Sequence, residues 1–221
     1  MLLLFFHAIG LSNQGATCYL NGLLQTLYMT PEFRRAIFKW KYNEIKDGAA
    51  EHCIPLQLQK LFGLLSLSRQ RAVETVSLTK SFGWEGNEVF QQQDVQELMR
   101  VLFDALEESF RSTDTENIID ELYSGKMIDY LRCLDVPYHT ERSDKFQDLS
   151  VAIIPFGGTV ACKTLMECVE LYLRPEVLDG DNKYRVEATN TQSDAIKGLK
   201  FSQLPHILSI HMKRFVFDFS G

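Results

Sequence analysis

The hydrophobic period of this chain changes near Gly125, and that switch restricts it to folds that segregate helices from strands. Before the switch, apolar residues recur at intervals of three and four. Leu20, Leu23, Leu24, Leu27 and Tyr28 form one stripe beginning just after Cys18. Thr30-Pro31 reads as a cap followed by proline at the first helical position, opening a second helix to about Trp40. The polar, glycine-containing stretch 42–52 reads as a loop. Ile54, Leu58, Leu61, Phe62 and Leu65 mark a third helix, entered through Pro55. The longest run is Val95, Leu98, Leu102, Phe103, Leu106 and Phe110. Asp94 stands at its N-cap and Glu97 three residues on, the arrangement of a capping box. After Gly125, residues 127–133 alternate and residues 149–154 are almost continuously apolar, as strands do. A helix over Leu165–Leu173 stops at Arg174-Pro175, residues 178–182 form a turn, and further strands are expected near 198–201 and 206–217. The expectation is an α+β fold.

Charge narrows the function. A formal net charge of −6 at pH 7 argues against a nucleic-acid partner, whose binders carry a basic patch or stripe. The imbalance is concentrated, because residues 85–121 hold eleven acidic side chains against two arginines. Such a segment is either a solvated helix face or a surface that attracts a cationic peptide. The five cysteines, Cys18, Cys53, Cys133, Cys162 and Cys168, include no CxxC pair. Neither a disulfide framework nor a strong zinc motif follows, and a reducing compartment fits. Residues 1–6 are apolar but lack a basic flank and are too short for a bilayer, so they read as a buried strand or an arbitrary chain start. No other stretch suggests a membrane span. At 221 residues the chain is long enough to bury a core as one domain or two lobes.

Cys18 carries the most chemistry. The thiolate is the nucleophilic form, and a helix N-terminus favours it. Here that terminus is preceded by Asn13-Gln14-Gly15-Ala16-Thr17, a polar segment in which Gly15 permits a tight turn. The turn would aim backbone N–H groups at an oxyanion, and the Asn13 amide would add a donor for a tetrahedral intermediate. Read from local physics alone, a small core residue at Cys18 and a turn former at Asn13 are the commoner case, because a lone cysteine at a helix start is a weak signal.

The sixteen residues Gly10-Leu11-Ser12-Asn13-Gln14-Gly15-Ala16-Thr17-Cys18-Tyr19-Leu20-Asn21-Gly22-Leu23-Leu24-Gln25 resemble the cysteine box of the ubiquitin-specific proteases. Leu78-Thr79-Lys80-Ser81-Phe82-Gly83-Trp84 and Gln92-Gln93-Asp94-Val95-Gln96-Glu97-Leu98 resemble the family's thumb. Leu178-Asp179-Gly180-Asp181-Asn182-Lys183-Tyr184 resembles its fingers, and Met212-Lys213-Arg214-Phe215 a palm strand. The resemblance implies a papain-like cysteine protease with thumb, palm and fingers, acting on ubiquitin and ubiquitinated proteins without a cofactor. It implies a helical thumb over about 10–123, then fingers and the first palm strands over about 124–221. It makes Cys18 the nucleophile and Asn13 the oxyanion-hole amide. Asp94 and Glu97 match thumb residues that contact the basic, diglycine-ended tail of ubiquitin, and both also suit helix capping.

Three departures qualify the match. Gly22 stands inside a helix where the family usually has serine, at a cost of roughly 0.5–1 kcal/mol of helix stability. Many family members hold zinc in the fingers through two CxxC pairs, whereas Cys133-Leu134-Asp135-Val136 keeps one cysteine and Lys183-Tyr184-Arg185-Val186 none, so no metal is expected. The family's Gly-His-Tyr box, which supplies the general base, is not found in this sequence. His206 and His211 fall on a strand that precedes it in the family and read as packing or edge residues. A full catalytic domain needs on the order of 300 residues, beyond ordinary domain size. The expectation is therefore a domain truncated before its palm is complete, giving little turnover by itself, or a ubiquitin-binding fragment that does not cleave. A cytoplasmic or nuclear setting is expected.

Overall fold

The computed structural model describes residues 9–83, 94–155 and 157–214. The expected feature at 1–6, Trp84, the Gln92-Gln93 pair and the strand end beyond Arg214 lie outside the described residues. The chain divides into two units, Met1–Ile119 and Asp120–Gly221.

The first unit is helical. Its elements are β1 (Gly10–Leu11), α1 (Cys18–Met29), α2 (Pro31–Lys39), α3 (Glu44–Asp47), α4 (Ile54–Leu67), β2 (Ala72–Val73), α5 (Val76–Ser81) and α6 (Val95–Phe110). The apolar stripes meet as their spacing requires: Leu20, Leu24 and Leu27 of α1, Phe62 of α4 and Phe103 of α6 are all essentially inaccessible to solvent. Phe33 of α2 joins two of them, its ring centroid 6.2 Å from that of Phe62 and 6.3 Å from that of Phe103. Proline opens both α2 and α4, where its missing N–H is an orphan in any case. The expected loop at 42–52 contains α3, a single turn closed by Asn43 Oδ1 accepting from Ile45 N at 3.0 Å. Periodicity cannot reveal such a turn, because no α3 residue is buried.

The second unit is largely sheet. Its elements are α7 (Ile118–Tyr123), which carries the boundary, then β3 (Gly125–Cys133), β4 (His139–Phe146), β5 (Asp148–Ala152), α8 (Leu165–Leu173), β6 (Glu176–Leu178), β7 (Tyr184–Val186), β8 (Thr191–Ser193), β9 (Ala195–Gln203) and β10 (Ser209–Lys213). A four-stranded antiparallel sheet runs β4-β3-β9-β6. Separately, β5 and β10 pair in parallel with Ser150 opposite His211. Helix α8 covers Leu149 and Val151 with Cys168 and Val169. The expected turn at 178–182 is a 3-10 turn, Gly180–Asn182. The expected strand at 206–217 begins only at Ser209, with His206 in the bend before it. No described helix is long and apolar enough to cross a membrane.

Strand β4 shows no apolar alternation. Seven of its eight residues are exposed, so it is held by its ladder to β3 and not by burial. One close approach fixes that ladder. A Cβ on Gly125 would stand 2.5 Å from the Phe146 ring and 2.8 Å from the Gln203 carbonyl oxygen, on the strands to either side. Gly125→Ala is expected to lower the melting temperature, at an overpacking cost of about 1–3 kcal/mol. Thermal unfolding followed by circular dichroism checks it, and an unchanged melt would contradict the packing described.

Candidate active site

Residues 12–17 form a loop tied down at its base. Gly10 N donates to Arg71 O and Ser12 N to Val73 O, both at 2.9 Å, as β1 runs parallel to β2. From the helix side, Asn21 Nδ2 donates to the Leu11 and Ser12 carbonyls at 3.3 Å each, and Gln25 Nε2 to Ile9 O at 2.9 Å. Asn21 and Gln25 are one turn apart on α1, which explains two amides on a helix that is otherwise mostly apolar. Gly15 then turns the chain with φ of +126°, a conformation that only glycine adopts without strain.

The turn gathers three donors onto one oxygen. Asn13 Oδ1 accepts from Gly15 N at 3.0 Å, from Thr17 N at 3.2 Å and from Thr17 Oγ1 at 3.1 Å. Three donors require that this atom be the carbonyl oxygen, so the amide orientation is set by the loop. The Nδ2 end is consequently the outward one, on an exposed residue. Thr17 is fully buried, and its hydroxyl serves Asn13 instead of capping α1.

Cys18 is the first residue of α1. Of the five cysteines it is the exposed one; Cys53, Cys133 and Cys168 are buried and Cys162 is intermediate. Burial pushes the Cys53 and Cys168 thiols up from their ordinary range, which keeps them neutral and inert. The first turn of α1 carries no acidic side chain, so no carboxylate of that turn competes with a thiolate or oxyanion for the positive end of the helix dipole. An exposed thiol, an amide donor and the N–H groups of a first helical turn are groups from which acyl-transfer chemistry can be built.

Asp94 and Glu97 are placed differently. They open α6, which packs against α1, and both are exposed. Asp94 Oδ1 accepts from Gln96 N at 2.8 Å, so the N-cap is real while its bond reaches the second helical N–H rather than that of Glu97. Among the described residues no hydrogen bond or ion pair joins either carboxylate to the loop, and Asp94 Oδ2 has no partner. No histidine among them hydrogen-bonds Cys18. His211 meets Ser150 Oγ at 3.2 Å through Nδ1, and both residues belong to the second unit.

Cys133 lies in an apolar cluster with Leu131, Val186 and Ala195, flanked by the stacked rings of Tyr138 and Tyr184. One buried sulfur is not the donor set of a structural zinc, which needs four ligands. The segment is held by other means: Asp135 Oδ2 accepts from Asp194 N at 2.9 Å, and Lys183 Nζ lies 3.0 Å from Asp194 Oδ1. Among the described residues no cluster of three or more His, Cys, Asp or Glu could hold a metal.

The sequence model of the family described as Ubiquitin carboxyl-terminal hydrolase matches residues 9–220, nearly the whole chain. The chain belongs to the ubiquitin carboxyl-terminal hydrolase family. Its α+β architecture is that of this hydrolase family. It is 47% identical over 212 residues to ubiquitin carboxyl-terminal hydrolase 47 of Homo sapiens, covering 96% of this chain and 15% of that protein. The Drosophila melanogaster protein of the same name is 48% identical over 211 residues, 96% of this chain and 13% of the relative. Ubiquitin carboxyl-terminal hydrolase 40 of Mus musculus is 40% identical over 222 residues, 97% of this chain and 18% of the relative. The chain thus spans less than a fifth of the length of these curated hydrolases.

Sequence reasoning missed Gln14, Thr75 and Thr79. Gln14 Nε2 donates to Thr75 Oγ1 at 2.5 Å, and Thr79 Oγ1 reaches Gln14 Oε1 at 3.3 Å. The threonines stand in and beside α5, sixty-one and sixty-five positions from Gln14. No local pattern links residues so far apart. The available signal was a pair of threonines one turn apart beside apolar Val76 and Leu78.

Proposed function

We propose that this chain supplies the nucleophile half of a thiol-dependent deubiquitinase that hydrolyses the bond after the C-terminal glycine of ubiquitin. The observation that carries the reading is the Asn13 amide, whose oxygen is held by three donors beside an exposed Cys18 at a helix start. The Cys18 thiolate attacks the glycyl carbonyl and a C–S bond forms. The carbonyl pair moves onto oxygen, where Asn13 Nδ2 and first-turn N–H groups receive it. Collapse expels the amine of the ubiquitinated protein, which takes up a proton, and water then hydrolyses the thioester to free ubiquitin. In this reading residues of about 10–123 form the thumb and those of about 124–221 the fingers and first palm strands, a division supported by the boundary between the two units at Ile119–Asp120. Ubiquitin and ubiquitinated proteins are the partners, in a cytoplasmic or nuclear setting suited to five unpaired cysteines.

Asp94 and Glu97 would receive the basic tail of ubiquitin through charge-assisted hydrogen bonds. Asp94→Asn separates this role from capping, since asparagine caps a helix as well as aspartate does. The variant is expected to melt like the parent and to bind ubiquitin about fivefold more weakly, with reduced salt dependence. Titration calorimetry at two ionic strengths checks it. Equal affinity would confine Asp94 to the cap.

A second reading, ubiquitin binding without cleavage, is favoured by the lack of any histidine hydrogen-bonded to Cys18 among the described residues. Ubiquitin bearing a C-terminal thiol-reactive group decides between the two. A covalent adduct mapped to Cys18 supports the enzyme. Saturable binding without an adduct supports the second reading, and neither result would sink both.

A further inference from the structure

Asn13 is one end of a longer polar chain. Thr17 Oγ1, which donates to Asn13, also accepts from Gln14 N at 3.0 Å. Gln14 turns the other way and places both ends of its amide on α5 and its cap. Nε2 meets Thr75 Oγ1, the residue before the helix, and Oε1 meets Thr79 Oγ1 one turn later. Thr75 and Thr79 are each 1% exposed, so these hydroxyls are sheltered from water. Thr79 shares its single proton between Gln14 and the Val76 carbonyl at 3.0 Å. The path Thr79–Gln14–Thr17–Asn13 therefore joins a buried threonine of α5 to the Asn13 amide of the loop. The backbone anchors of the loop hold its base, residues 10–12, whereas Gln14 acts beyond them, next to Asn13 itself.

A loop fixed at its base still pivots at its tip, and Gly15 gives that tip a freely turning residue. A side-chain strut on the residue adjoining Asn13 removes the pivot. Oxyanion stabilisation is sensitive to this, because a donor works only if it already lies where charge will develop. A displacement of 1 Å costs on the order of a hundredfold in rate.

We propose that Gln14 is a positioning residue of the oxyanion hole, bracing Asn13 against Thr75 and Thr79 of the α5 region. The proposal rests on the assignment of Cys18 as nucleophile. It concerns the placement of a donor and involves no contact between Gln14 and substrate.

Two ubiquitin derivatives separate placement from folding in the full chain. Ubiquitin C-terminal aldehyde adds the Cys18 thiol across its carbonyl: a C–S bond forms, and the oxygen that gains the thiol proton occupies the oxyanion position. Ubiquitin ending in a 2-bromoethylamide alkylates the same thiol by expelling bromide, so a thioether forms and no oxyanion arises. Gln14→Ala and Thr75→Val are each expected to weaken aldehyde binding about tenfold while the alkylation rate stays within about twofold of the parent. Thr75→Ser, which keeps the hydroxyl, is expected to restore aldehyde affinity. Equal losses with both derivatives would overturn the proposal in favour of a merely structural role, as would unchanged aldehyde affinity in both variants. If the parent chain reacts with neither derivative, the nucleophile assignment fails and the proposal falls with it. Parent reactivity with insensitive variants overturns the proposal alone.

Discussion

Cys18→Ala is expected to abolish covalent capture of electrophilic ubiquitin while leaving the fold and noncovalent ubiquitin binding intact. The effect is large because Cys18 is the exposed thiol of the five and Cys162 is only of intermediate exposure. Cys53, Cys133 and Cys168 are enclosed, and the first and last of these are held neutral by burial. Truncating the side chain should cost little stability. Cys18 is exposed, so no cavity opens, and alanine is the best helix former for the start of α1. Intact-mass spectrometry of parent and variant gives the result directly, alongside a thermal melt. Persistent labelling of the variant, at Cys162 or elsewhere, would remove Cys18 from the reaction.

Asn13→Asp has the next largest consequence and is the cleaner of the substitutions available there. Alanine would release Gly15 N, Thr17 N and the Thr17 hydroxyl together, so loop collapse and donor loss would be mixed. Aspartate preserves the oxygen that those three groups hold. It replaces only the outward Nδ2 donor, and with an oxygen that shares a negative charge. An oxyanion would then meet repulsion where it had a hydrogen bond. Loss of one such donor costs about a hundredfold to a thousandfold in rate. Affinity for ubiquitin aldehyde is expected to fall by at least about a hundredfold, with the melt close to that of the parent and the bromoethylamide alkylation rate lowered far less, by the unfavourable effect of the added carboxylate on the thiolate alone. Unchanged aldehyde affinity would place the oxyanion donors elsewhere.

The elements that could be read from the sequence are those that bury one face. α1, α2, α4, α6 and α8 each carry apolar residues at helical spacing, and α8 lies over Leu165–Leu173 as its pattern requires. α3 and β4 bury almost nothing, and a solvated turn or edge strand leaves no periodic trace. The two-residue strands β1 and β2 are too short to have a period at all, yet their pairing holds the base of the Cys18 loop. The candidate site divides in the same way. Cys18 and Asn13 lie five positions apart beside a helix start, so the sequence displays them together. The Gln14 brace depends on threonines more than sixty positions away, which only the folded chain brings near. Asp94 was legible as a cap because capping is local chemistry, although its bond goes to Gln96 and not to Glu97.

Strand β4 has a practical use beyond the fold. Its side chains from His139 to Lys145 face water and pack against no core, and the backbone ladder to β3 supplies its attachment. Replacements there should be nearly neutral provided the residues stay polar and free of proline. In the Cys18→Ala background, a cysteine introduced at Ser143 would therefore accept a fluorophore without disturbing the apolar clusters of the second unit. Mixed charges such as Glu141, Arg142, Asp144 and Lys145 also deter the open edge from recruiting another strand. The least structured-looking stretch of sequence thus becomes the best place to attach a reporter.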